Sequence, residues 1–315
     1  MSKELFRRYS KNPIIDISDL PYPANAVFNA GATLFNGETL LLMRVEDKRG
    51  ISHLLLGRSK DGVRNWVIDK EPTLLPEPDF HPEEEFGIED PRITYLDEIR
   101  KWAIVYTAYS KYGPLVSLAL TEDFKSFDKK GVILPPENKD AAIFPERFSD
   151  KWALIHRPSP KDLRAGAHIW ISFGYDLCHW GEHRILFESR DGAWWDSGRI
   201  GLSTPPLKTD KGWLLLYHGV KLTVSGAIYR LGLALLDLKE PRNVIFRSDE
   251  WVFGPEKSYE LIGDVDKVVF PCGWVRVGDE IRLYYGSADK CIGLATANVN
   301  DVLEWIEKHS KEKSR

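Results

Sequence analysis

The chain has 315 residues, of which 43% are hydrophobic and 29% are charged, a composition that is ordinary for a globular protein. Its formal net charge of −4 gives no indication of nucleic acid or an anionic membrane as a partner. No apolar stretch approaches the roughly 18 residues that a membrane helix needs, so we expect no membrane-embedded segment.

The cysteines and the first residues bear on the compartment. The stretch MSKELFRRYSKNPII lacks the apolar run of a signal peptide. Only Cys178, Cys272 and Cys291 occur, without the spacing of metal ligands, and so few cysteines are typical of a reducing compartment. We therefore expect a cytoplasmic protein that contains no metal and no other cofactor.

Short strand-like runs recur along the chain, and similar segments follow each of them. Each run leads through a polar connection to a second strand and then to a turn that contains Asp. The period of roughly 50–70 residues lies in the range of propellers. In chain order the runs are TLLLMRV (39–45), KWAIVYTAY (101–109), KWALIHRP (151–158), GWLLLYHGV (212–220) and EIRLYYGSAD (280–289).

The repeats predict an all-β fold, a five-bladed β-propeller that forms a single domain over residues 1–315, with a pair of β-sandwiches as the alternative. Glycine and proline are spread evenly, so no linker divides the chain. Only the last stretch, from about 300 to 315, has apolar residues at helical spacing, and it predicts a short C-terminal helix with a basic tail. A homo-oligomer that uses the propeller face beside this tail stays open.

A propeller has a central channel, and we expect the first strand of each blade to line it. Residues at equivalent ends of these strands would converge on one pocket, and segments that link the blades would add others. The resulting set mixes cations with carboxylates, whereas a purely structural channel is filled with apolar or small side chains. Its members are Arg44, a position within 107–109, Arg157, His218 and Asp289 from the strands, and Asn29, Asp90, Lys139 and Arg199 from the links.

The stretch FGIEDPRI (86–93) contains two adjacent carboxylates before a proline. Pro91 disfavours helix for the residue before it, so the segment is predicted to be extended. Neighbouring side chains of an extended segment point to opposite faces. We therefore expect only one of Glu89 and Asp90 to face a cleft, while the other reaches Arg92 or a backbone donor. An ordinary polar turn is the alternative.

One acid opposite several cations suits a particular way of cleaving a glycosidic bond. Hydrolysis normally uses two carboxylates, one as acid and one as nucleophile or base. If phosphate attacks instead, the second carboxylate is unnecessary, and a cradle of Arg, Lys and His is needed to hold the anion. The predicted pocket therefore fits phosphorolysis better than hydrolysis.

Nine ordered motifs between about residues 10 and 305 resemble glycoside hydrolase family 130. Members of this family are five-bladed propellers. Most are inverting phosphorylases that convert β-mannosides to α-mannose 1-phosphate, and a minority are β-mannosidases. The motifs are NAVFNAG, GIEDPRIT, PENKDAAIFPERF, HRPSP, DSGRIG, GWLLLYHGV, ALLDL, GDVDKVVFPCG and YYGSAD.

The resemblance implies a role for each matching residue. Asp90 matches the general acid, which in the phosphorylases acts through the 3-hydroxyl of the bound mannose, and Glu89 becomes its outward-facing or supporting neighbour. Inorganic phosphate would be the co-substrate and a β-linked manno-oligosaccharide the substrate. The phosphate-binding positions are Lys139, Arg157, Arg199, His218 and Tyr229, and the positions that hold the non-reducing mannose are Asn29, Arg44 and Asp289.

Each of these residues has a plainer interpretation. Arg157 could pair with a carboxylate such as Asp289, and His218 could be an ordinary core histidine. Arg199 and Lys139 could lie in solvated turns. A sugar platform on the acceptor side could come from Trp194 and Trp195, or one of the two could be core.

Within the family, Lys139 and Arg199 resemble the branch that includes phosphorylases of β-1,2-mannobiose and β-1,2-oligomannan. The β-1,4 branch exchanges these two residue types, so phosphorylases of β-1,4-mannosyl-glucose or β-1,4-mannooligosaccharides are the alternative. Bulkier residues at 202–204 would reshape the edge of the pocket. A β-mannosidase with Glu146 or Glu188 as the base, and a non-catalytic sugar-binding propeller, also stay open.

Overall fold

The apolar runs form antiparallel strands that associate into five sheets, as seen in the residues that the computed structural model describes, 5–160 and 166–313. The innermost strands contact one another across the centre, and the sheets follow one another around the ring in chain order. This arrangement confirms the predicted five-bladed β-propeller and excludes the pair of sandwiches.

The first three blades are built in sequence after a two-residue strand, β1 (Arg7–Arg8). From the channel outwards, blade 1 contains β2 (Ala26–Phe35), β3 (Glu38–Glu46), β4 (Ser52–Ser59) and β5 (Val67–Ile68). Blade 2 contains β6 (Ile88–Leu96), β7 (Lys101–Ser110), β8 (Gly113–Thr121) and β9 (Asp128–Leu134). Blade 3 contains β10 (Asn138–Ile143), β11 (Trp152–Pro158), β12 (Ile169–Gly174) and β13 (Gly181–Phe187).

The last two blades complete the ring. Blade 4 contains β14 (Arg199–Leu202), β15 (Leu207–Lys208), β16 (Trp213–Thr223), β17 (Gly226–Leu236) and β18 (Val244–Arg247), with both β14 and β15 paired to β16. Blade 5 contains β19 (Val269–Val277), β20 (Glu280–Ser287) and β21 (Cys291–Asn298). The outermost strand of blade 5 is β1, with Arg8 opposite Ala295, so both ends of the chain are joined in one blade.

The hydrophobic core lies between the blades. Side chains alternate along a strand, so Leu214 and Leu216 of β16 pack towards blade 5, whereas Leu215 and Tyr217 pack towards blade 3. In the described part of the chain the buried side chains form five clusters of this kind. Four clusters fill the spaces between successive blades, and the fifth joins blade 5 to blade 1. This two-sided burial explains why the strands read as continuous apolar runs.

The predicted C-terminal helix is confirmed as α2 (Val299–Lys313). Its apolar residues Val299, Val302, Leu303 and Ile306 recur at helical spacing and pack into the cluster between blades 4 and 5. The other helical pieces are shorter: α1 (Ser258–Leu261) and 3-10 helices at Ile17–Asp19 and Pro82–Glu84. None of the helices in the described residues is long and apolar enough to cross a membrane.

One expectation about the channel is wrong. The runs that we took for first strands form β3, β7, β11, β16 and β20, which are second in their blades. The channel is lined instead by β2, β6, β10, β14 and β19, and these strands include the segments that we took for links between blades. The runs were misplaced because second strands have long, clear apolar runs, whereas the innermost strands are interrupted by polar residues such as Asn29, Asp90 and Asp140.

Candidate active site

Three innermost strands contain a β-bulge at the same point of the blade. The register with the second strand shifts in β2, β6 and β10. The bulged residues are Asn29, Asp90 and Asp140, with φ of 45°, 51° and 53°. Asn and Asp adopt this left-handed conformation more readily than other non-glycine residues, and a bulge re-aims the side chain. The three bulges thus bring polar groups to one end of the channel.

The buried carboxylate of Asp90 lies at the centre of the first group of polar residues. Asn29 donates a hydrogen bond from Nδ2 to Oδ1 of Asp90 over 2.8 Å, and Arg44 donates from Nη1 to the same oxygen over 3.1 Å. Arg44 is itself held by Ser52, since its Nε donates to the Ser52 hydroxyl over 2.9 Å. Two residues of blade 1 therefore fix the orientation of a carboxylate on blade 2.

The expectation that Glu89 and Asp90 point to opposite faces is wrong. Arg44 binds both carboxylates, with Nη2 3.0 Å from Oε1 of Glu89 and Nη1 3.1 Å from Oδ1 of Asp90. The bulge at Asp90 interrupts the alternation of side chains, so both carboxylates face the same guanidinium. Arg92 is engaged elsewhere, because its Nε and Nη2 donate to the carbonyls of Ser203 and Leu202, each over 2.8 Å.

The charges around Asp90 act on its protonation. Burial raises the pKa of this carboxyl, but Arg44, Lys139 and Arg92 outweigh burial and hold the pKa below its ordinary value. In Asp289, on the turn after β20, burial dominates and raises the pKa to about 7. Two carboxylates in the field of the same Arg44 therefore differ in their affinity for a proton.

A cavity of about 370 Å³ adjoins Asp90 on the side of Glu89 and Lys139. It contains all five residues that the resemblance assigns to phosphate. Its lining is made of Glu89, Tyr109, Pro114, Glu137, Lys139, Arg157, Ser159, Arg199, His218, Tyr229 and Phe270. The three residues assigned to mannose lie beside it: Asn29 and Arg44 contact Asp90, and Asp289 is in the electrostatic field of the same group.

Asp140 organises the basic side of this cavity. Its carboxylate is fully buried, and Oδ2 accepts a hydrogen bond from Nε of Arg157 over 2.7 Å. Nε2 of His218 lies 3.4 Å from the same oxygen, and Nη2 of Arg92 lies 3.5 Å from the other. Although burial raises the pKa of Asp140, Arg157 and His218 hold it well below the ordinary value. A permanent negative charge thus fixes two guanidinium groups, from blades 2 and 3, and the imidazole of His218 from blade 4.

His218 is buried and mainly neutral. Burial lowers its pKa, although the hydrogen bond and the charge of Asp140 act in the opposite direction. Its ring packs against Phe270, with centroids 4.7 Å apart, and lies 6.0 Å from the ring of Tyr229. A neutral imidazole with this orientation supplies a fixed dipole to the cavity rather than a full charge.

Lys139 and Arg199 supply the remaining basic groups of the cavity. Burial lowers the pKa of Lys139, but Asp140, Asp90 and Glu89 raise it overall, so its ammonium group stays charged. Arg199 begins β14, opposite Val220 of β16, and its side chain is partly exposed. The cavity therefore presents charge to a ligand at its mouth as well as at its base.

Several sequence-based expectations do not fit this geometry. Leu202, Ser203 and Thr204 are fully buried and do not line the cavity, so they do not form its edge. The residues proposed as a hydrolytic base also lie outside it: Glu146 pairs with Lys208 over 2.7 Å, and Glu188 is exposed.

The proposed platform of adjacent tryptophans is also absent from the cavity lining. Trp195 is core, stacked on Tyr217 with ring centroids 5.5 Å apart. Trp194 is partly exposed, lies under Arg190 and does not line the cavity. The aromatic residue at the mouth is Tyr109, which packs edge-on against Phe86.

Sequence reasoning missed the positioning residues Asp140 and Arg92. A signal for Asp140 was nevertheless present, because FNA, EDP and KDA place Asn or Asp at one position of three innermost strands. No group of three or more His, Cys, Asp or Glu side chains in the described ranges is arranged to hold a metal ion.

The fold and this site agree with what is found in known proteins. The model of glycoside hydrolase family 130, described as beta-1,4-mannooligosaccharide phosphorylase, matches residues 3–308. A 1,2-beta-oligomannan phosphorylase of Thermoanaerobacter sp. is 35% identical over 94% of this chain and 98% of its own length. A beta-1,4-mannooligosaccharide phosphorylase of Ruminococcus albus is 33% identical over 98% and 92% of the two chains.

A solved structure gives the same result. The beta-1,2-mannobiose phosphorylase of Listeria innocua, in complex with beta-1,2-mannobiose, superposes with a TM-score of 0.87 and is 31% identical, with 96% of this chain and 99% of that chain covered. The fold and the site together place the protein in the class of carbohydrate-active β-propellers. The chain is a member of glycoside hydrolase family 130.

Proposed function

We propose that the protein is an inverting phosphorylase of β-mannosides, which uses inorganic phosphate to release α-mannose 1-phosphate. One observation carries the proposal: Lys139, Arg157, Arg199, His218 and Tyr229 line a single cavity next to the buried carboxylate of Asp90. A dianion is neutralised best where several cations converge in a partly desolvated space.

The bond changes follow from this arrangement. An oxygen of phosphate attacks the anomeric carbon of the terminal mannose while the bond from that carbon to the bridging oxygen breaks. Asp90 supplies the proton that the leaving oxygen needs, through the 3-hydroxyl of the mannose, and inversion of the β-linkage gives the α-phosphate. Asn29, Arg44 and Asp289 hold the terminal mannose, and phosphate displaces the remainder of the oligosaccharide from it.

Phosphate itself explains how an ionised carboxyl becomes an acid. In the free protein Arg44 and Lys139 hold the pKa of Asp90 low, against the effect of burial. A phosphate dianion bound beside Lys139 offsets that positive charge and raises the pKa of Asp90. The co-substrate therefore helps to protonate the acid, so that the site becomes competent when it is loaded.

We favour β-1,2-linked substrates over β-1,4-linked ones, because Lys139 and Arg199 match the residue types of the β-1,2 branch. The cytoplasm is the proposed compartment, and no cofactor takes part besides phosphate. A homo-oligomer is a further proposal, for which the face beside α2 is the candidate contact.

Release of mannose 1-phosphate from β-1,2- and β-1,4-mannobiose, each with and without inorganic phosphate, tests the proposal. We expect cleavage of the β-1,2 isomer to depend strictly on phosphate. Preference for the β-1,4 isomer would reverse the assigned linkage alone. Equal release of free mannose without phosphate would show a hydrolase and refute phosphorolysis.

A further inference from the structure

Blades 2, 4 and 5 contain the same buried anchor, which ties the segment that enters the blade to the second and outermost strands. In each anchor a carboxylate of the entering segment accepts a hydrogen bond from a tyrosine of the second strand and pairs with a cation of the outermost strand. The anchors are Glu84, Tyr106 and Lys129 in blade 2, Asp196, Tyr217 and Arg247 in blade 4, and Glu260, Tyr285 and Arg8 in blade 5.

The contacts of the three anchors are direct hydrogen bonds. The tyrosine hydroxyls lie 2.7, 3.1 and 2.8 Å from the carboxylates of Glu84, Asp196 and Glu260, and a cation nitrogen lies 2.7 Å from each carboxylate. All three carboxylates are fully buried. A buried carboxylate that is bonded from two strands is held in one orientation, so each anchor fixes the course of the segment that contains it.

The anchor of blade 2 lies against the bulge that aims Asp90. Tyr106 is on β7 opposite this bulge, where the register of β6 and β7 shifts. Its hydroxyl donates to Glu84, and the carbonyl of Glu84 accepts from the N–H of Gly87 over 2.9 Å, three residues before Asp90. Glu84 thus restrains the bulge from the opposite strand and also from the chain that leads into it.

The anchor of blade 4 lies against the strand pair that contains Arg199 and His218. Tyr217 of the anchor directly precedes His218 on β16. Asp196 packs on the next residue of that strand, Gly219, where an added Cβ atom would lie only 2.4 Å from the Cβ of Asp196. Three residues after Asp196, Arg199 begins β14. Asp196 thus fixes the backbone from which two groups of the phosphate cavity extend.

The anchor of blade 5 has the same chemistry but leads to a different part of the site. The strand that follows Glu260 is β19, and its contribution to the described lining of the cavity is Phe270. A phenyl ring is neither an acid nor a phosphate ligand. Glu260 therefore offers an internal comparison, an equally buried anchor whose strand supplies neither group.

We propose that Glu84 and Asp196 are positioning residues of the active site and that they serve different steps of the reaction. Glu84 sets the position of Asp90, the acid, whereas Asp196 sets the positions of Arg199 and His218, which bind phosphate. The proposal rests on the proposed phosphorolysis. Neither Glu84 nor Asp196 lines the cavity, so both act through the residues that they hold.

The test uses the three amide variants Glu84→Gln, Asp196→Asn and Glu260→Gln, which keep the shape of each carboxylate and remove its charge. Initial rates are measured with phosphate and mannobiose each varied, using the linkage that the wild-type protein cleaves. A nitrophenyl β-mannoside serves as a second substrate, because its leaving group needs little protonation. Thermal denaturation verifies that each variant is folded.

We expect the two positioning residues to affect different kinetic constants. Asp196→Asn should raise KM for phosphate about 10-fold and change kcat less than about threefold, because its effect is on the ligands of phosphate. Glu84→Gln should lower kcat on mannobiose about 10–100-fold, with a much smaller loss on the nitrophenyl substrate, and leave KM for phosphate within about twofold.

Glu260→Gln is the matched control. It should lower the unfolding temperature by about as much as the other two variants, since a buried cation loses its charged partner in each case. It should change neither KM for phosphate nor the ratio of rates on the two substrates by more than about twofold. Parallel changes of kcat and KM in all three variants would overturn the proposal and leave the anchors as supports of the fold alone.

Milder variants keep the test decisive if an amide variant does not fold. Tyr106→Phe and Tyr217→Phe remove only the hydroxyl donor and leave the ion pair of each anchor intact. They should give the same division between kcat and KM for phosphate, reduced to about 2–5-fold. Absence of that division would also overturn the proposal.

The wild-type measurement separates this proposal from the function on which it rests. Formation of mannose 1-phosphate by the wild-type protein supports phosphorolysis whatever the variants do. Wild-type protein that cleaves mannobiose without consuming phosphate would refute phosphorolysis, and with it the role of Asp196 at phosphate.

Discussion

Nε of Arg157 lies 2.7 Å from Oδ2 of Asp140, and this buried pair connects the catalytic cavity to the framework of the propeller. Both side chains are almost inaccessible to water, and the same carboxylate lies within 3.5 Å of groups on Arg92 and His218. Two basic groups of the cavity, those of Arg157 and His218, are thus held by one negative charge from an innermost strand. Removing that charge while keeping its shape tests how far positioning matters.

Asp140→Asn should raise KM for phosphate at least about 10-fold, equivalent to ~1.4 kcal/mol, while KM for the mannoside changes little. The amide oxygen can still accept a hydrogen bond from Arg157, but it has no negative charge, so the guanidinium is held less firmly in its orientation. Stability should also fall by ~3–5 kcal/mol, because Arg157 becomes an uncompensated buried charge. Initial-rate kinetics and urea denaturation measure the two effects.

Asp69→Asn is the matched control. Asp69 pairs with Arg58 on the outer side of blade 1, and both side chains are about one-third exposed. Exposed pairs contribute ~0–1 kcal/mol, so neither KM nor stability should move appreciably. Equal effects of the two substitutions would show that Asp140 has no special role in positioning.

Arg199→Ala should weaken phosphate binding by ~2–4 kcal/mol through loss of a direct ionic hydrogen-bond partner. Arg199 lines the cavity, begins a strand at its mouth and is partly exposed, so the fold should tolerate its removal. Isothermal titration with inorganic phosphate measures the change. An affinity change confined to the mannoside would contradict the assigned role.

Asp90→Asn should lower kcat on mannobiose ~100–10,000-fold, since the shape is kept and only the proton is lost. An aryl β-mannoside with a nitrophenolate leaving group needs little protonation, so its cleavage should fall much less. Comparing the two substrates separates loss of the acid from general damage to the site. Retention of near wild-type turnover on mannobiose would refute the role of Asp90.

The pH dependence of kcat/KM for mannobiose should change with the concentration of phosphate. Burial raises the pKa of Asp90, but Arg44 and Lys139 hold it below the ordinary value in the free protein. The reaction needs the protonated acid, so activity falls as the pH rises through this pKa. Bound phosphate raises the pKa, so the basic limb of kcat/KM for mannobiose should move to higher pH as the phosphate concentration increases.

Lys139→Met provides the check on that prediction. Removing the ammonium group removes one of the charges that lower the pKa of Asp90, so the basic limb should lie at higher pH already at low phosphate. The additional shift caused by phosphate should then shrink. If the basic limb of the pH profile does not move with phosphate in either protein, electrostatic coupling between phosphate and Asp90 is excluded.

Gly31→Ala tests the bulge that aims Asp90. A Cβ atom at Gly31 would lie 2.6 Å from the carbonyl oxygen of Pro91 and 3.0 Å from Cγ1 of Ile93. Because the carbonyl is backbone, strands β2 and β6 must separate, which should destabilise the protein by ~1–3 kcal/mol and lower kcat. Differential scanning calorimetry and kinetics record the two effects.

Gly181→Ala is the corresponding control, since an added Cβ there meets no atom within 4 Å and φ is not positive. It should leave kcat unchanged and the unfolding temperature equal or slightly higher, through the reduced entropy of the unfolded chain. A similar loss of kcat in both variants would show that the contact between β2 and β6 does not control Asp90.

The fold could be predicted from the sequence because each blade repeats one pattern of apolar strands. The apolar runs are continuous where both faces of a strand are buried. The sequence was less reliable about which strand is innermost, since polar residues such as Asn29 and Asp90 interrupt the apolar runs of the innermost strands. The alternation rule also failed at Glu89 and Asp90, because a bulge cannot be recognised from apolar periodicity.

The site was predicted in part for a similar physical reason. Basic side chains such as Arg157 and His218 stand out because they interrupt apolar strands. Asp140 was overlooked because a buried acid in ENKD has the same appearance as an acid in a polar loop. Only the tertiary structure shows that its charge faces Arg157, His218 and Arg92.

The most direct test of phosphate as the attacking group is proton and phosphorus NMR of one reaction mixture that contains mannobiose and inorganic phosphate. We predict that α-mannose 1-phosphate forms at the rate at which mannobiose disappears, with no reaction in the absence of phosphate. Formation of the β-anomer would contradict inversion. Appearance of free mannose from both units, independent of phosphate, would contradict phosphorolysis altogether.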